Sequence, residues 1–255
     1  MKKSDALLIA LFVVCAGVAV AFGIPDLIPY PDPTLGSLIE GTVPRVAVSV
    51  FLIVLMVVKG YSGTFKPKLR GIHLVWSIPC FLVAVVNFPF SALIGGGAVI
   101  ERVDLLWLFI IKCIAIALFE EIFFRALLLP LFMERLARNR HCVIISVLCS
   151  SALFALVHLF NLFFGAGVGE TLLQVGYTFL IGCMLAVMML RTGNVWLCVA
   201  VHALFNVGGA IVYDLGSGLF QDLTFWILTA VAGGLCAVHI TLSLIRIIKR
   251  RGAEK

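Results

Sequence analysis

Two adjacent glutamates and an arginine four residues on, Glu120-Glu121-Ile122-Phe123-Phe124-Arg125, interrupt a long apolar stretch. A charge near the centre of a bilayer costs about 2.5–3.5 kcal/mol even on insertion scales, so ionisable groups inside a span are functional candidates by default. On a helix Glu121 and Arg125 share one face, with the acid on the N-terminal side, the favourable order for a pair. Glu120 is rotated away by about 100° and need not be consumed by the arginine. A carboxyl in apolar surroundings can hold and release a proton near neutral pH, as a general acid or base must. Glu120 is therefore the catalytic candidate, and Glu121 with Arg125 the ordering pair.

Two more apolar stretches carry polar groups at helical spacing. One contains Phe154 and His158, with Asn161 a turn further on; the other places His202 and Asn206 on one face. A lone histidine in an apolar helix is more often a hydrogen-bonded packing residue than a ligand. Two histidines and two glutamates on three such stretches shift that balance. At about 1.5 Å per residue, counted from the cytoplasmic ends of their helices, Glu120, Arg125, His158 and His202 lie between about 10 and 24 Å deep. They meet only if their helices are neighbours.

The elements that must position these groups follow from composition. The chain has 255 residues, 62% apolar and 13% charged, with mean hydropathy +1.17. A soluble domain is about half apolar and a quarter charged, so this is an all-α polytopic membrane protein, not a disordered chain, a coiled coil or a nucleic-acid binder. A span needs about 20 apolar residues. Eight are expected, near 6–24, 43–58, 72–94, 104–132, 142–164, 171–190, 194–213 and 222–246. The runs are continuously apolar and do not alternate, which favours helices over a barrel. Pro79, Pro89 and the Gly95-Gly96-Gly97 run predict a kink or early exit in the third span. The first span follows Lys2 and Lys3 like a signal peptide, but its uncharged run from Ala6 to Ile24 is longer than a signal core, and a retained helix is expected.

Most of the 19 basic residues fall near Lys2, in 59–70, in 135–140, at Arg191 and after Arg246, whereas the alternate loops collect Asp26, Asp32, Glu40, Glu101, Asp104, Glu170, Asp214 and Asp222 beside Arg45 and Arg102. This asymmetry supports an even number of spans, with both termini cytoplasmic. The protein is expected in the plasma or inner membrane, and, with no sizeable soluble stretch or long linker, as one domain over 1–255 with its motif-bearing core at about 104–213. The net charge of +6 is thus mostly a topology signal. Loop charges removed, Lys112, Glu120, Glu121 and Arg125 remain, and they sum to zero.

The other polar residues read more plainly. The eight cysteines lie in or beside spans with no paired spacing and read as packing residues. His73 and His141 border basic loops, and His239 reads as packing. Lys112, two turns before Glu120, either tunes that glutamate or snorkels outward. Asn87, Asn161, Gln174 and Tyr177 are candidates to line a cavity. The basic run Arg246, Lys249, Arg250 and Arg251 serves orientation and anionic lipid.

Taken together, EExxxR at Glu120–Arg125, FxxxH at Phe154–His158 and HxxxN at His202–Asn206 resemble, in order, the three motifs of the CPBP family of CAAX proteases and bacteriocin-processing enzymes, also called the Abi family. The resemblance covers about 90 residues, from Glu120 to Asn206. It implies an intramembrane endopeptidase similar to the Ras-converting CAAX proteases, acting on a peptide or protein substrate that is membrane-anchored or lipidated in the known precedents. Carried over, Glu120 and His158 would activate a water, His202 and Asn206 would stabilise the oxyanion, and Glu121 and Arg125 would order the site. No cofactor is expected. If zinc were present, Glu120, His158 and His202 would be its ligands, although no HExxH helix occurs. Zero-sum intramembrane charge also marks ion pathways, so a transporter is the alternative, as is a non-catalytic scaffold or immunity factor with a buried charge network. No pair of broken helices in matching halves suggests transporter repeats.

Overall fold

A computed structural model describes residues 30–66, 71–219 and 221–253. The expected span at 6–24, and with it the question of a signal, lies outside the described residues.

The first described helix, α1 (Pro33–Val58), starts ten residues before the predicted boundary. Asp32 caps it, accepting from the N–H groups of Thr34 (3.0 Å) and Leu35 (3.2 Å), and Pro33 occupies the first turn. Both residues are well suited to a helix start, since proline lacks only a donor that has no partner there. Glu40 and Arg45, counted from sequence among the charges of the acidic side, both lie within α1.

The next expected span is broken as its prolines predict. Helix α2 (Gly71–Val86) stops before Pro89, and the short α3 (Phe90–Gly95) ends at Gly96, whose positive φ of 74° suits glycine. Strand β1 (Ala98–Ile100) follows, antiparallel to β2 (Gly216–Gly218), with Val99 opposite Ser217. This ribbon departs from the purely helical expectation. It needs glycine: a Cβ on Gly216 would collide with the Val99 carbonyl, and one on Gly218 with that of Gly97.

The charged span begins as α4 (Leu106–Glu121), widens into a π-helix (Ile122–Leu128) and closes as α5 (Leu129–Arg135). In the wide section the Leu129 N–H reaches the Phe124 carbonyl five residues back. Pro130 lies just downstream; it cannot donate, and its ring crowds the carbonyl four residues earlier, which accounts for the wide turn here. Helix α6 (Cys142–Leu156) tightens into a 3₁₀-helix (Val157–Phe164). Then come α7 (Val168–Thr192), α8 (Val195–Leu215) and α9 (Leu223–Ala253).

Six of these runs are long and apolar enough to cross a membrane, which makes the fold all-α and polytopic; the expected total of eight is not reached among the described residues. The charged run 106–135 is the expected span that is missing from the six.

Helix α7 is the hub. Its residues Met184, Leu185, Ala186 and Val187 are buried against Cys80, Leu129, Val147, Cys198, Val201 and Cys236 from five other helices. Small side chains let membrane helices approach closely, and the seven described cysteines are free.

The acidic loops gather at one end of the bundle. There Arg102 donates to Asp32 (2.7 Å) and Asp104 (2.9 Å), and Lys112 pairs with Asp214 at 2.9 Å. The opposite end carries Arg191 and Arg246.

Candidate active site

The α4–π junction sets the two glutamates differently. Glu121 is fully buried and its Oε1 lies 3.0 Å from Arg125 Nη1, one turn later. Glu120 faces the partly open side, with about a fifth of its side chain exposed. Arg125, at the middle of the π-helix, also donates through Nη2 to the Gly182 carbonyl on α7 at 3.3 Å, and its guanidinium lies over the Phe154 ring at 4.5 Å. The Phe124 carbonyl accepts from Ser150 on α6 at 3.1 Å, which ties the wide turn to its neighbour.

His202 on α8 joins the two acids. Its Nδ1 lies 2.8 Å from Glu121 Oε1, and its Nε2 lies 3.4 Å from Glu120 Oε2. The carboxylate of Glu121 can only accept, so Nδ1 carries the hydrogen and Nε2 is turned to Glu120. Glu121 therefore does two jobs, pairing with Arg125 and orienting the imidazole, where the spacing had suggested only the first.

His158 opens the 3₁₀ turn and folds back on its own helix, where Nδ1 lies 2.9 Å from the Phe154 carbonyl. A carbonyl only accepts, so Nδ1–H donates and the Nε2 lone pair is left free. The Phe154 ring packs edge-on against both imidazoles, at 5.3 Å from His158 and 5.7 Å from His202. One aromatic ring thus spaces the two histidines and covers the arginine. Gly182 makes room for it: a Cβ there would lie 3.1 Å from Phe154.

The structure so brings together Glu120, Glu121, Arg125 and His202 directly, with His158 alongside through Phe154. Asn206 sits one turn beyond His202 on the same helix, half-buried, with its amide free of hydrogen bonds among the described residues. Glu120, His158 and His202 do not make a three-ligand group, and no set of three His, Cys, Asp or Glu side chains among the described residues is placed to hold a metal ion.

The other polar residues of the apolar stretches and their borders find partners of their own. Lys112 belongs to the Asp214 pair, and its stem packs on Gly41 of α1. Asn87 donates to the Phe205 carbonyl at 2.8 Å and so joins α2 to α8 as a packing link, not a cavity wall. Asn161 donates to Gln174 at 2.7 Å, Gln174 bonds Tyr177, and Tyr177 lies within electrostatic reach of Glu120. His141 accepts from Arg140 on the exposed surface, and His239 contacts Cys80 at 3.9 Å. The side chain of His73 is outside the described set.

The residue the motifs missed is Arg45. It lies on α1, donates to the Gly41 carbonyl at 2.9 Å, and couples electrostatically to Glu120. The signal was present: Pro33 after Asp32 marks a helix start, and counting from there puts Arg45 near mid-helix.

No curated protein and no solved structure matches the chain. Residues 102–208, which hold all three motifs, match the family model described as Rce1-like, type II CAAX prenyl endopeptidase Rce1-like.

Proposed function

We propose that the protein is an intramembrane endopeptidase in which Glu120 and His158 activate the attacking water. One observation carries this: the His202 ring sits between two carboxylates, 2.8 Å from Glu121 and 3.4 Å from Glu120, beside a His158 whose Nε2 is free. Water adds to the scissile carbonyl as Glu120, assisted by His158 Nε2, takes its proton. Charge grows on the carbonyl oxygen and is met from α8 by the Asn206 amide and by His202, once the proton has passed from Glu120 Oε2 to His202 Nε2. The proton then goes to the leaving amine and the C–N bond breaks. Donors fixed in a water-poor site stabilise such an oxyanion far better than donors in water. Glu121 and Arg125 hold the imidazole in place throughout. No metal takes part in this sequence of steps.

The substrate is a peptide or protein reaching the site from the bilayer, and a lipidated tail of the CAAX kind fits the matched family. In this reading the basic end faces the cytoplasm, the side that the lysine and arginine asymmetry favours, in the plasma or inner membrane.

The test compares protein termini in membranes holding wild-type protein, Glu120→Gln or His158→Ala, each checked for insertion and folding. New termini should appear with wild type alone, since loss of a general base costs about 10²–10⁴ in rate. Identical new termini from all three proteins would refute the mechanism.

A further inference from the structure

Three helices converge near the basic end, each with a polar residue there and apolar residues deeper on the same stripe. On α2 the stripe runs Trp76, Pro79, Val83, Val86; on α7 it is Arg191 and Met184; on α9 it runs Arg246, Ser243, His239, Cys236, Ala232. Arg191 stacks on the Trp76 ring at 3.7 Å and Arg246 on the same ring at 4.6 Å. Arg191 also donates to the Ser243 hydroxyl at 2.9 Å, and Arg246 and Arg250 both lie close enough to repel it. Among the described residues no acidic side chain pairs with either stacked guanidinium. Like charges gathered on one ring without an acid call for an anion.

Directly beneath lies an apolar cavity of about 160 Å³, with His239 at its upper edge and Leu228 at its foot. Eleven residues of α9 separate those two, about 16 Å along the axis, close to half the roughly 30 Å hydrocarbon thickness. Leu82, Val231 and Leu235 are exposed along its mouth. Charge above and apolar depth below match the two ends of one molecule.

We propose that the crevice between α2, α7 and α9 binds an anionic phospholipid, its phosphate on Arg191 and Arg246 and one acyl chain in the cavity. Neither proposed catalytic histidine nor glutamate belongs to this crevice, so the site is independent of the peptidase chemistry.

The full chain, purified in detergent, is examined by native mass spectrometry with dioleoyl phosphatidylglycerol or dioleoyl phosphatidylcholine. Wild type and the exposed-loop control Arg138→Gln should retain phosphatidylglycerol, and Arg191→Gln/Arg246→Gln should lose it at least tenfold. Ala232→Leu, which fills the cavity and leaves the arginines alone, should lose it as well. Should the glutamine pair fail to fold, Arg191→Lys/Arg246→Lys keeps the charge without the planar stacking, and weaker retention is expected. Unchanged retention in a folded arginine variant or in Ala232→Leu overturns the site, as does equal retention of phosphatidylcholine. Inorganic phosphate that protects wild type from thermal unfolding as well as phosphatidylglycerol does would overturn the assignment to a lipid.

Discussion

Replacing Arg125 by methionine separates stability from chemistry in this bundle. Arg125 and Glu121 are 1% and 0% exposed. Removing the guanidinium strands a carboxylate in the core, which costs about 3–5 kcal/mol for a buried pair. The value should lie toward the upper end, because the cation stacked on Phe154 is lost too. The pair is itself only partly satisfied: Glu121 Oε2 and Arg125 Nε have no hydrogen-bond partner among the described residues. Replacing both members by apolar residues of similar size removes those unmet groups together. The double variant Glu121→Leu/Arg125→Met should therefore recover to within about 1 kcal/mol of wild type or exceed it.

Activity should not recover. Without Glu121 the His202 Nδ1–H has no acceptor, and the ring is free to turn its Nε2 from Glu120. A loss within the range of about 10²–10⁴ is expected. Unfolding in mixed micelles gives the stabilities, and cleavage of a substrate found from the new termini gives the rates. A double variant as unstable as the single one would show that Arg125 is not there to neutralise Glu121. A stable double variant cleaving at the wild-type rate would show that Glu121 does not orient His202.

Two further outcomes follow from the geometry. Gly182→Ala places a methyl 3.1 Å from Phe154 and Ser151; it should cost about 1–3 kcal/mol and, by shifting the ring between the histidines, lower kcat more than it lowers Tm. At the acidic end Arg102 holds the carboxyls of Asp32 and Asp104 below their ordinary range, and these two acids hold Arg102 more firmly protonated. Lowered carboxyl values mean that this stabilisation is complete above about pH 4 and is lost as pH falls through the lowered values. Thermal unfolding followed below that pH should show the loss in wild type and a flatter profile in Arg102→Gln; parallel profiles would refute the clamp.

What the sequence could and could not reveal divides along a physical line. Helical period alone separates Glu120 from Glu121, and hydropathy alone finds the apolar runs, since both depend on neighbours within a turn or two. The orientation of His202 depends on Glu121, 81 residues away, and no local pattern encodes which face of α8 meets the α4–π junction. The π-helix is likewise hidden: Pro130 warns of a defect but does not say whether the helix kinks or widens. Arg45 is the instructive case. Treated as a loop charge, it left the intramembrane charges at zero sum, and the cluster looked self-contained. Inside α1 it adds a cation coupled to Glu120, alongside Glu40 in the same helix and the Lys112–Asp214 pair near the acidic end. Capping chemistry at Asp32 and Pro33 outweighs the polar residues that follow, because a satisfied helix start and continuous packing on α4 are worth more than the apolar count of any one turn. Charge balance inside a membrane is therefore a property of the packed bundle, and it can be read from sequence only after the helix ends have been placed by their caps.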